Sequence, residues 1–591
     1  MRLQPRAEIL RLWRALARHC FRDGMFVWSG DGNPISDAEQ LLCVLLPATE
    51  LRSLVLDRLD ETREDAADAL AEIGDLVQIP LRLIRSLTEY MTRYADADGR
   101  PVFHAGDYLD LTAAGIEAQP PDVVESFAVS VHLTLATIGF CRVLRPAVTR
   151  DSLMADVNRL ESLAGVRLTA ALVGLLRGFA VHVFDDGSPA GQRLRETIRQ
   201  DHRSDTVVLD EYRRGLREIR AGVRDVTIAV TFDPDALSRK DFECGWAWAV
   251  VADMPSIAFV DESVPQRIGW APAVPHLYFT HIALEAVAAL YSQRSRVLGL
   301  LHDLQARLAV ALQLRSTLAQ AYWSYVATFG DHRWPLERLP WRTFDGDASD
   351  YHSLVLAMIT VAEIGGRQGN NDISLGYAGR VLHRIAARQR IVRPPYADGA
   401  AAGVSMAYEP ASVALATGSA AGYRIAGRTP MLLSAAVRAA AATDNSQLRQ
   451  EFEDLADLIW DHMAGDPAKP VDLTAFGDGT SPDWRNLLRV VEALTAAEKH
   501  VDGGVQGSTG PPELAHQLLA ACDQTVDDLA ATAAVDSPAW PRIEQGLARA
   551  RSIVDHHPAR AAALLYQVLA TLDGLIQDHD SAADHHHRRA G

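Results

Sequence analysis

Acidic side chains stand at the beginning of several long apolar runs in this sequence. Asp37, Glu39, Asp122 and Asp350 each lie within a few residues of such a run. Where two carboxyl groups share a buried site, burial keeps one of them protonated, so that the pair can act as a general acid and a general base. We therefore take these four residues as candidates for catalysis. The alternative is that they only cap helices, because a carboxylate is stabilised near the positive end of the helix dipole.

Tryptophans form a second group with chemical potential, because several of them lie in or beside loops rich in glycine and proline. They are Trp28, Trp246, Trp248, Trp270, Trp334 and Trp341. Aromatic side chains in loops either close the ends of a helical array or line the mouth of a pocket for an apolar or planar ligand. We select Trp28, Trp341 and Tyr351 as candidate ligand-binding residues, together with Arg342, whose guanidinium can hold an anionic group. For Arg342, a structural network with carboxylates is the alternative.

Motifs of other chemistries are missing from the sequence. It has no GxxxxGK[ST] phosphate loop, no HExxH or paired CxxC zinc signature, and no GxSxG nucleophile turn. The nearest match to a metal-binding DDxxD-type segment is Asp185-Asp186. Gly-Ser-Pro follows this pair, which is typical of a helix that ends in a turn. We therefore predict neither a metal site nor a cofactor.

The candidate residues belong to recurring segments in which a proline or serine precedes an acidic or aromatic first turn. These segments lie at residues 34–40, 121–127, 275–280, 348–353 and 481–485, and a strongly apolar run follows each of them. Ser36 and Glu39 predict a capping box, and Ser349 stands before Asp350, where a carboxylate suits a helix start.

Apolar positions recur at helical spacing through much of the chain and predict a mainly all-α fold. We predict helices over residues 7–19, 37–46, 81–94, 122–144, 169–184, 211–221, 278–329 (one long helix or two stacked ones), 351–364, 447–463, 486–499, 512–532 and 559–578. A helix that is apolar on every side must be buried on every side. The pattern thus favours inner and outer helices in pairs, as in an α/α toroid or a curved α-solenoid. In a toroid the inner helix starts would meet, bringing Asp37, Asp122, Asp350 and Asp483 together.

Strands and domain boundaries are predicted from local composition. The β-branched runs at 226–231 and 256–260 predict at most one small β-hairpin. The stretch GGVQGSTGPP has the composition of a flexible linker. We therefore divide the chain into a helix-pair array (1–504), a linker (505–511), a C-terminal helical bundle (512–580) and a disordered tail (581–591).

Charge and cysteine content exclude several classes of protein. The net charge of −18 argues against a surface that binds nucleic acid. The five cysteines are scattered, which suits a reducing compartment, and no secretory signal or run of 18 uncharged apolar residues is present. We predict a cytoplasmic protein without stable membrane insertion.

Several long, tryptophan-rich stretches carry a resemblance to a known family. They are FVWSG (26–30), NPISDAEQLLCVLLPATE (33–50), FECGWAWAVV (242–251), RWPLERLPWRTFDGDASDYHSL (333–354) and RVVEAL (489–494). From its N-terminus to about residue 500, the chain resembles a family of uncharacterised actinobacterial proteins, which implies no particular activity. More distantly, the helix starts are similar to those of α/α-toroid proteins such as terpene cyclases, protein prenyltransferases and several carbohydrate-active enzymes. The Asp-x-Asp-Asp acid motif of class II cyclases is missing here.

Two functions remain open at this point. The chain is either a helical scaffold that binds protein partners, with its C-terminal bundle as the docking module, or an enzyme. In the second case, a small and partly apolar substrate would bind in a central pocket of carboxylates and aromatic residues. The two hypotheses differ in whether the acidic helix starts lie together.

Overall fold

A computed structural model describes most of this chain. The described residues are 2–30, 32–110, 121–200, 202–329, 333–343, 348–366, 371–389, 391, 412–415, 421–464, 469–503, 519, 522–523, 526, 539–554, 561, 564–565, 568–569 and 571–572. The chain has two compact units: a main unit of Pro5–Thr495, and a C-terminal unit of Ala496–Gly591 with Met1–Gln4. The predicted linker and tail, and most of the predicted C-terminal bundle, lie outside the described residues. The predicted division of the chain therefore stays a prediction.

The chain is mainly α-helical, as predicted, and has small antiparallel strand pairs. The helices of the described residues are α1 (Pro5–Cys20), α2 (Pro34–Glu50), α3 (Glu64–Ala69), α4 (Gln78–Arg93), α5 (Val124–Leu144), α6 (Asp151–Arg177), α7 (Pro189–Ile198), α8 (Asp205–Gly215), α9 (Arg217–Arg224), α10 (Pro234–Arg239), α11 (Leu277–Leu290), α12 (Gln293–Val297), α13 (Asp303–Thr328), α14 (Asp350–Gly366), α15 (Asp372–Arg388), α16 (Arg428–Ala441), α17 (Ser446–Met463), α18 (Trp484–Gly503) and α19 (Trp540–Ile553). The strands are β1 (Phe21–Arg22), β2 (Met25–Phe26), β3 (Leu109–Asp110), β4 (Phe179–Phe184), β5 (Asp241–Trp246), β6 (Trp341–Arg342), β7 (Ala348–Ser349), β8 (Ser412–Ala414) and β9 (Gly422–Arg424).

The helices of the main unit are arranged in pairs. The inner helices contact one another in series: α2 contacts α5, α5 contacts α11, α11 contacts α14, and α14 contacts α16. Outer helices cover them, with α1 and α4 on α2, α6 on α5, α13 on α11 and α14, α15 on α14, and α17 on α16. Each inner helix thus has at least one outer neighbour, because an apolar helix needs partners on more than one side.

Helix α5 shows most clearly why the inner helices are buried. Buried side chains follow one another along almost its whole length. By length and composition, Val124–Ala147 is apolar enough to cross a membrane, but 83% of its most apolar window is buried inside the structure. The neighbours that bury it are α2, α6 and α11.

The strands form in places other than the predicted hairpin. Residues 226–231 and 256–260 have no strand structure, and Ala229 takes a φ of 46°. A left-handed residue breaks the side-to-side alternation that a strand requires. The longest pairing is instead that of β4 with β5. The helix predicted over 169–184 is therefore wrong in its last part, because α6 ends at Arg177 and β4 follows it.

Helix α2 begins one turn before the predicted capping box. Asn33 is its N-cap, and the side-chain oxygen accepts hydrogen bonds from the backbone nitrogens of Ile35 and Ser36. Pro34 occupies the first helical position, where its missing N–H removes no hydrogen bond. The predicted capping box of Ser36 and Glu39 is therefore wrong. Glu39 lies inside the helix, and its carboxyl group contacts other elements.

The long apolar region at 278–329 is divided into separate helices. Helix α11 ends at Leu290, the short α12 follows, and α13 begins at Asp303. Gly299 lies in the break with a φ of 59°, a conformation that glycine adopts without steric cost. Two main helices, the second alternative of the prediction, therefore come closest to the structure.

Candidate functional site

Polar side chains from seven elements or turns meet in the core of the main unit. We call them the helix-start cluster: Glu39, Tyr108, Glu125, Tyr278, Tyr351, Tyr423 and Arg485. Each of them is at most 5% exposed. Glu125, Tyr278, Tyr351 and Arg485 are the second residues of α5, α11, α14 and α18, respectively. Four helices therefore contribute to the cluster through the same position of their first turn.

Two carboxyl groups and one guanidinium form the centre of the cluster. The Nε atom of Arg485 lies 3.3 Å from Oε1 of Glu125 and 3.7 Å from Oε1 of Glu39. The Oε1 atoms of Glu125 and Glu39 both lie within 3.7 Å of this nitrogen, so the two carboxyl groups are close to each other. A buried charge needs a partner of opposite sign, and Arg485 is close to both carboxyl groups.

Tyrosine hydroxyls complete the hydrogen bonding of the two carboxyl groups. Tyr278 and Tyr423 donate to the two oxygens of Glu125, each at 2.5 Å. Tyr108 donates to Oε2 of Glu39 at 2.8 Å. Each tyrosine comes from a different element, so the cluster ties α2, α5, α11 and the β3–β9 sheet together.

The guanidinium of Arg485 lies over two aromatic rings, but its nitrogens make few hydrogen bonds. Its guanidinium lies 3.9 Å from the ring centroid of Tyr108 and 5.5 Å from that of Tyr423. Nη1 donates to the backbone oxygen of Arg424. Nε and Nη2 have no hydrogen-bond partner, although Nε faces the two carboxyl groups, and the hydroxyl of Tyr351 has none either. Buried polar atoms without a partner are uncommon in folded proteins, so these atoms require an explanation.

A second group of buried charges lies one turn further along α18. Nη1 of Arg489 donates to Oε2 of Glu285 at 2.6 Å and to Oε2 of Glu492 at 2.8 Å. Nη2 of Arg438 is 2.5 Å from the other oxygen of Glu285. His281 stands one turn before Glu285, with its Nε2 at 3.6 Å. This group neutralises itself internally.

Burial and neighbouring charges shift the pKa values of ionisable groups in both buried groups of charges. Burial raises the pKa of Glu39 well above its usual range; Arg485 lowers it in part, and Glu125 raises it further. Burial also lowers the pKa of His281 to about 4. For Glu285, burial is outweighed by Arg438, His281 and Arg489, which hold the pKa of that carboxyl well below its usual range. The pKa of Glu39 is thus raised and that of Glu285 is lowered, although both carboxyl groups are buried.

The other predicted catalytic residues have separate surroundings. Asp37 accepts hydrogen bonds from the backbone nitrogen of Ser29 at 3.0 Å and from the hydroxyl of Tyr94 at 2.5 Å. Asp350 accepts one from Nε of Arg388 at 2.8 Å. No hydrogen bond or ion pair of the described residues joins them to each other or to Glu39.

Asp122, too, is held by neighbours of its own. Its side chain accepts from the backbone nitrogen of Phe103 at 2.9 Å, and Nε of Arg267 is 3.5 Å away. Asp483, expected at the same mouth, accepts from the backbone nitrogen of Asn486 and thereby caps α18. Of the predicted catalytic set, the structure therefore brings only Glu39 into the cluster.

The predicted ligand-binding residues are also spread out. Tyr351 belongs to the cluster. Trp28 is half-buried against Phe26, with ring centroids 4.7 Å apart. Trp341 is buried beside the start of α14, where its backbone nitrogen donates to Ser353 at 2.7 Å. The side chain of Arg342 is exposed. The last three make no described contact with the cluster.

A cavity of about 660 Å³ lies elsewhere in the main unit, between α5, α6, α13 and residues 261–265. Its polar lining is largely satisfied: Nε of Arg142 donates to Glu161 at 3.0 Å, and Gln305 donates to the backbone oxygen of Gly165 at 3.0 Å. None of the predicted site residues lines it. It is a mostly apolar hollow, distinct from the helix-start cluster.

Sequence reasoning missed most members of the cluster. It selected the acidic residues that begin the helices and passed over the polar residue one to three positions further on, as with Glu125 after Asp122 and Arg485 after Asp483. A signal was present, since a charged or hydroxyl-bearing residue in the first turn of an otherwise apolar helix has no solvent to face. Tyr108 and Tyr423 come from a turn and a strand, for which the sequence held no comparable signal.

Comparison with known proteins gives a family. The chain matches the model of the SCO2524-like family over residues 1–583, well beyond residue 500, where the resemblance seen in the sequence ended. No curated protein and no solved structure matches the chain. The matched region includes every residue of the helix-start cluster. The chain is a member of the SCO2524-like family.

Proposed function

We propose that this protein binds a small molecule at the helix-start cluster and acts on it with Glu39 and Glu125 as a pair of acid and base. One observation carries the proposal. Two carboxyl groups and a guanidinium from three helices share one buried place, where polar atoms of Arg485 and Tyr351 lack partners. Perturbed, clustered ionisable groups of this kind concentrate at functional sites.

The energetics of burial support a functional reading. Taking an ion pair out of water costs several kcal/mol per ion, and a hydrophobic replacement of similar size is often as stable or more so. A cluster with two carboxyl groups, one guanidinium and four tyrosine hydroxyls is thus a poor means of stabilising a core. Its value lies in holding defined donors and acceptors in place, which binding and acid–base chemistry require.

The different surroundings of the two carboxyl groups suit this chemistry. Burial raises the pKa of Glu39 well above its usual range. Glu125 instead accepts two hydroxyl hydrogen bonds and faces Arg485. A carboxyl group that holds its proton more strongly, beside one whose oxygens accept hydrogen bonds, is an arrangement from which a proton can be given and taken in one reaction.

We also propose that the helix pairs of the main unit close into an α/α toroid. Contacts between the two ends of the array support this. Arg485 on α18, the last helix, lies close to Glu39 on α2, the first inner helix. Arg489 on α18 also binds Glu285 on α11. In a closed array, the helix starts surround one site.

The proposed function can be tested by ligand-observed NMR with a library of small polar molecules. The full chain is compared with Glu39→Gln, which keeps an acceptor for Tyr108, and with Glu243→Gln as a matched buried control on β5. We expect bound molecules whose affinity falls about tenfold in Glu39→Gln, equal to about 1.4 kcal/mol, and is unchanged in Glu243→Gln. Binding that is insensitive to Glu39→Gln, or no binding at all, would contradict the proposal. Circular dichroism confirms that both variants are folded.

A scaffold for protein partners in the cytoplasm is the second candidate function. It is favoured by the separate C-terminal unit, where Trp540, Ile543 and Leu547 of α19 contribute to a small apolar core. The cysteines, all buried thiols, support a reducing compartment, and the acidic net charge supports protein partners over nucleic acid. A pulldown with the chain that lacks residues 505–591 tests the docking role. Partner recovery equal to that of the full chain would exclude it.

A further inference from the structure

Two of the unpartnered atoms of the helix-start cluster define what a ligand there must offer. Nη2 of Arg485 can only donate hydrogen bonds, and the hydroxyl of Tyr351 can donate one. Both side chains are more than nine-tenths buried, and neither atom has a partner in the protein. A buried donor without a partner is energetically unfavourable, so an acceptor brought by a ligand would be strongly favoured.

The two atoms belong to the same small region. The ring of Tyr351 is 6.2 Å from that of Tyr278, centroid to centroid. The hydroxyl of Tyr278 binds Oε1 of Glu125, the oxygen that Nε of Arg485 also approaches at 3.3 Å. Tyr351 and Arg485 are therefore linked through two shared neighbours, Tyr278 and Glu125.

The charges around the cluster are already balanced, which decides the charge of the ligand. Besides Glu39, three arginines face three carboxyl groups: the six are Glu125, Glu285, Glu492, Arg438, Arg485 and Arg489. At the edge of the cluster, Arg424 lies between Asp107 at 3.1 Å and Asp483 at 3.8 Å. Each of these four arginines thus has an acidic partner among the described residues. An anionic ligand would therefore add an uncompensated buried charge, which is costly.

We infer that the helix-start cluster selects an uncharged ligand whose carbonyl oxygen, as in a carboxamide or a ketone, accepts hydrogen bonds from Arg485 and Tyr351. The inference rests on the proposed function and names the substrate class of that site. The tyrosine rings that surround the centre give the rest of such a molecule an apolar and aromatic surface to contact.

Benzamide and benzoate are a matched pair of probes, because they have the same ring and differ in the charge of the carbonyl-bearing group. Their affinities for the full chain are measured by ligand-observed NMR near neutral pH. The same measurements are made for Tyr351→Phe and for Tyr212→Phe, a control at a buried tyrosine that hydrogen-bonds Tyr322 outside the cluster. We expect benzamide to bind at least about tenfold more tightly than benzoate. Tyr351→Phe should weaken benzamide about fivefold, which is the loss of one hydrogen bond, and Tyr212→Phe should have no effect.

Three results would overturn the inference. Benzoate that binds as tightly as benzamide would show that the site accepts an anion. Benzamide affinity that is unchanged in Tyr351→Phe would show that the hydroxyl does not contact the ligand. No binding of either probe would show that bound water alone satisfies the two donors. In each case, molecules from the library whose affinity depends on Glu39 would leave the proposed function standing, so the two failures can be distinguished.

Discussion

Arg167 and Arg485 are two deeply buried arginines of the main unit, exposed by 1% and 2%. Both lie over aromatic rings: Arg167 is 5.0 Å from the ring centroid of Tyr90 and 4.7 Å from that of Phe103, and Arg485 is 3.9 Å from that of Tyr108. Burial and stacking therefore do not distinguish them. They differ in how their nitrogens are used.

Every nitrogen of Arg167 has a protein partner. Nε donates to the hydroxyl of Ser130, Nη1 to the backbone oxygen of Tyr94, and Nη2 to the hydroxyl of Tyr90 and the backbone oxygen of Val102, all at 3.1–3.2 Å. Arg167 thus joins α4, α5, α6 and the loop after α4. It is a structural residue whose hydrogen bonds are complete.

Arg485 makes a hydrogen bond through Nη1 alone and faces a carboxyl pair through Nε. The comparison shows that a buried arginine in this fold can have full hydrogen bonding when its role is structural. Arg485 leaves two of its nitrogens without a hydrogen bond, whereas other buried arginines such as Arg177 and Arg315 leave only Nε without one. The expected effects of mutation therefore differ between Arg167 and Arg485.

The largest effect is expected at Arg167. Arg167→Met leaves two buried backbone oxygens and two hydroxyls without their donor, so the free energy of unfolding should fall by about 3 kcal/mol or more. Urea unfolding followed by tryptophan fluorescence measures this loss. Arg159→Met, on the exposed face of the same helix, is the matched control and should change stability by less than about 0.5 kcal/mol. Equal losses at the two positions would show that Arg167 is not a structural clamp.

A smaller, pH-dependent effect is expected at Glu39. Its pKa is raised in the folded state, so the folded chain keeps a proton that the unfolded chain loses. The stability due to the protonated group is complete below about pH 4.5 and is lost as the pH rises through the folded pKa. Glu39→Gln does not titrate. As the pH rises above the pKa of Glu39 in the unfolded chain, the free energy of unfolding of Glu39→Gln should therefore increase relative to that of the natural chain. The increase should be about 1.4 kcal/mol for each unit by which the folded and unfolded pKa values differ.

Unfolding at about pH 5, 6.5 and 8 measures this difference, and the exposed Glu64→Gln corrects for the chemical change itself. A difference between Glu39→Gln and the natural chain that does not vary with pH would contradict the assignment of a protonated Glu39. This result would also remove the contrast between an acid and a base at the cluster.

The smallest effect on stability is expected at Tyr351. Tyr351→Phe removes a hydroxyl that has no partner, so stability should change by less than about 0.5 kcal/mol or increase slightly. Tyr90→Phe is the paired variant, because the Tyr90 hydroxyl donates to the backbone oxygen of Pro34 at 2.9 Å and accepts from Arg167. It should cost about 1–2 kcal/mol in thermal or urea unfolding. If Tyr351→Phe destabilised the protein as much as Tyr90→Phe, the Tyr351 hydroxyl would have a partner after all.

The fold class could be predicted because its signals are local. The apolar residues of α5 and α14 follow one another at helical spacing, and each helix lies within about two residues of its predicted limits. The β4–β5 pairing could not be predicted, because the two strands are far apart in the chain and each is short. Strand β4 also continues the apolar run of α6. The end of that helix therefore cannot be recognised from the sequence.

Only a small part of the candidate site could be predicted: Glu39 and Tyr351 were selected from the sequence, and the other five residues of the helix-start cluster were not. Asp122 and Asp483, at or just before a helix start, bind nearby backbone nitrogens and stay at the edge. Glu125 and Arg485, two or three positions later, point in another direction because each helical residue turns by 100°. The direction of the second helical residue depends on how the helices are arranged, which a single sequence does not contain.

Helix α5 has a consequence for the synthesis of this protein. Its 24-residue apolar segment leaves the ribosome when α2 has been made and α6 follows directly, but α11, which covers another side, lies more than a hundred residues downstream. Until then, the growing chain exposes a segment with the length and hydropathy by which membrane-insertion machinery selects its substrates. Early pairing of α5 with α6 shortens this exposure. Of the three helices that cover α5, α11 is therefore the last to become available during synthesis.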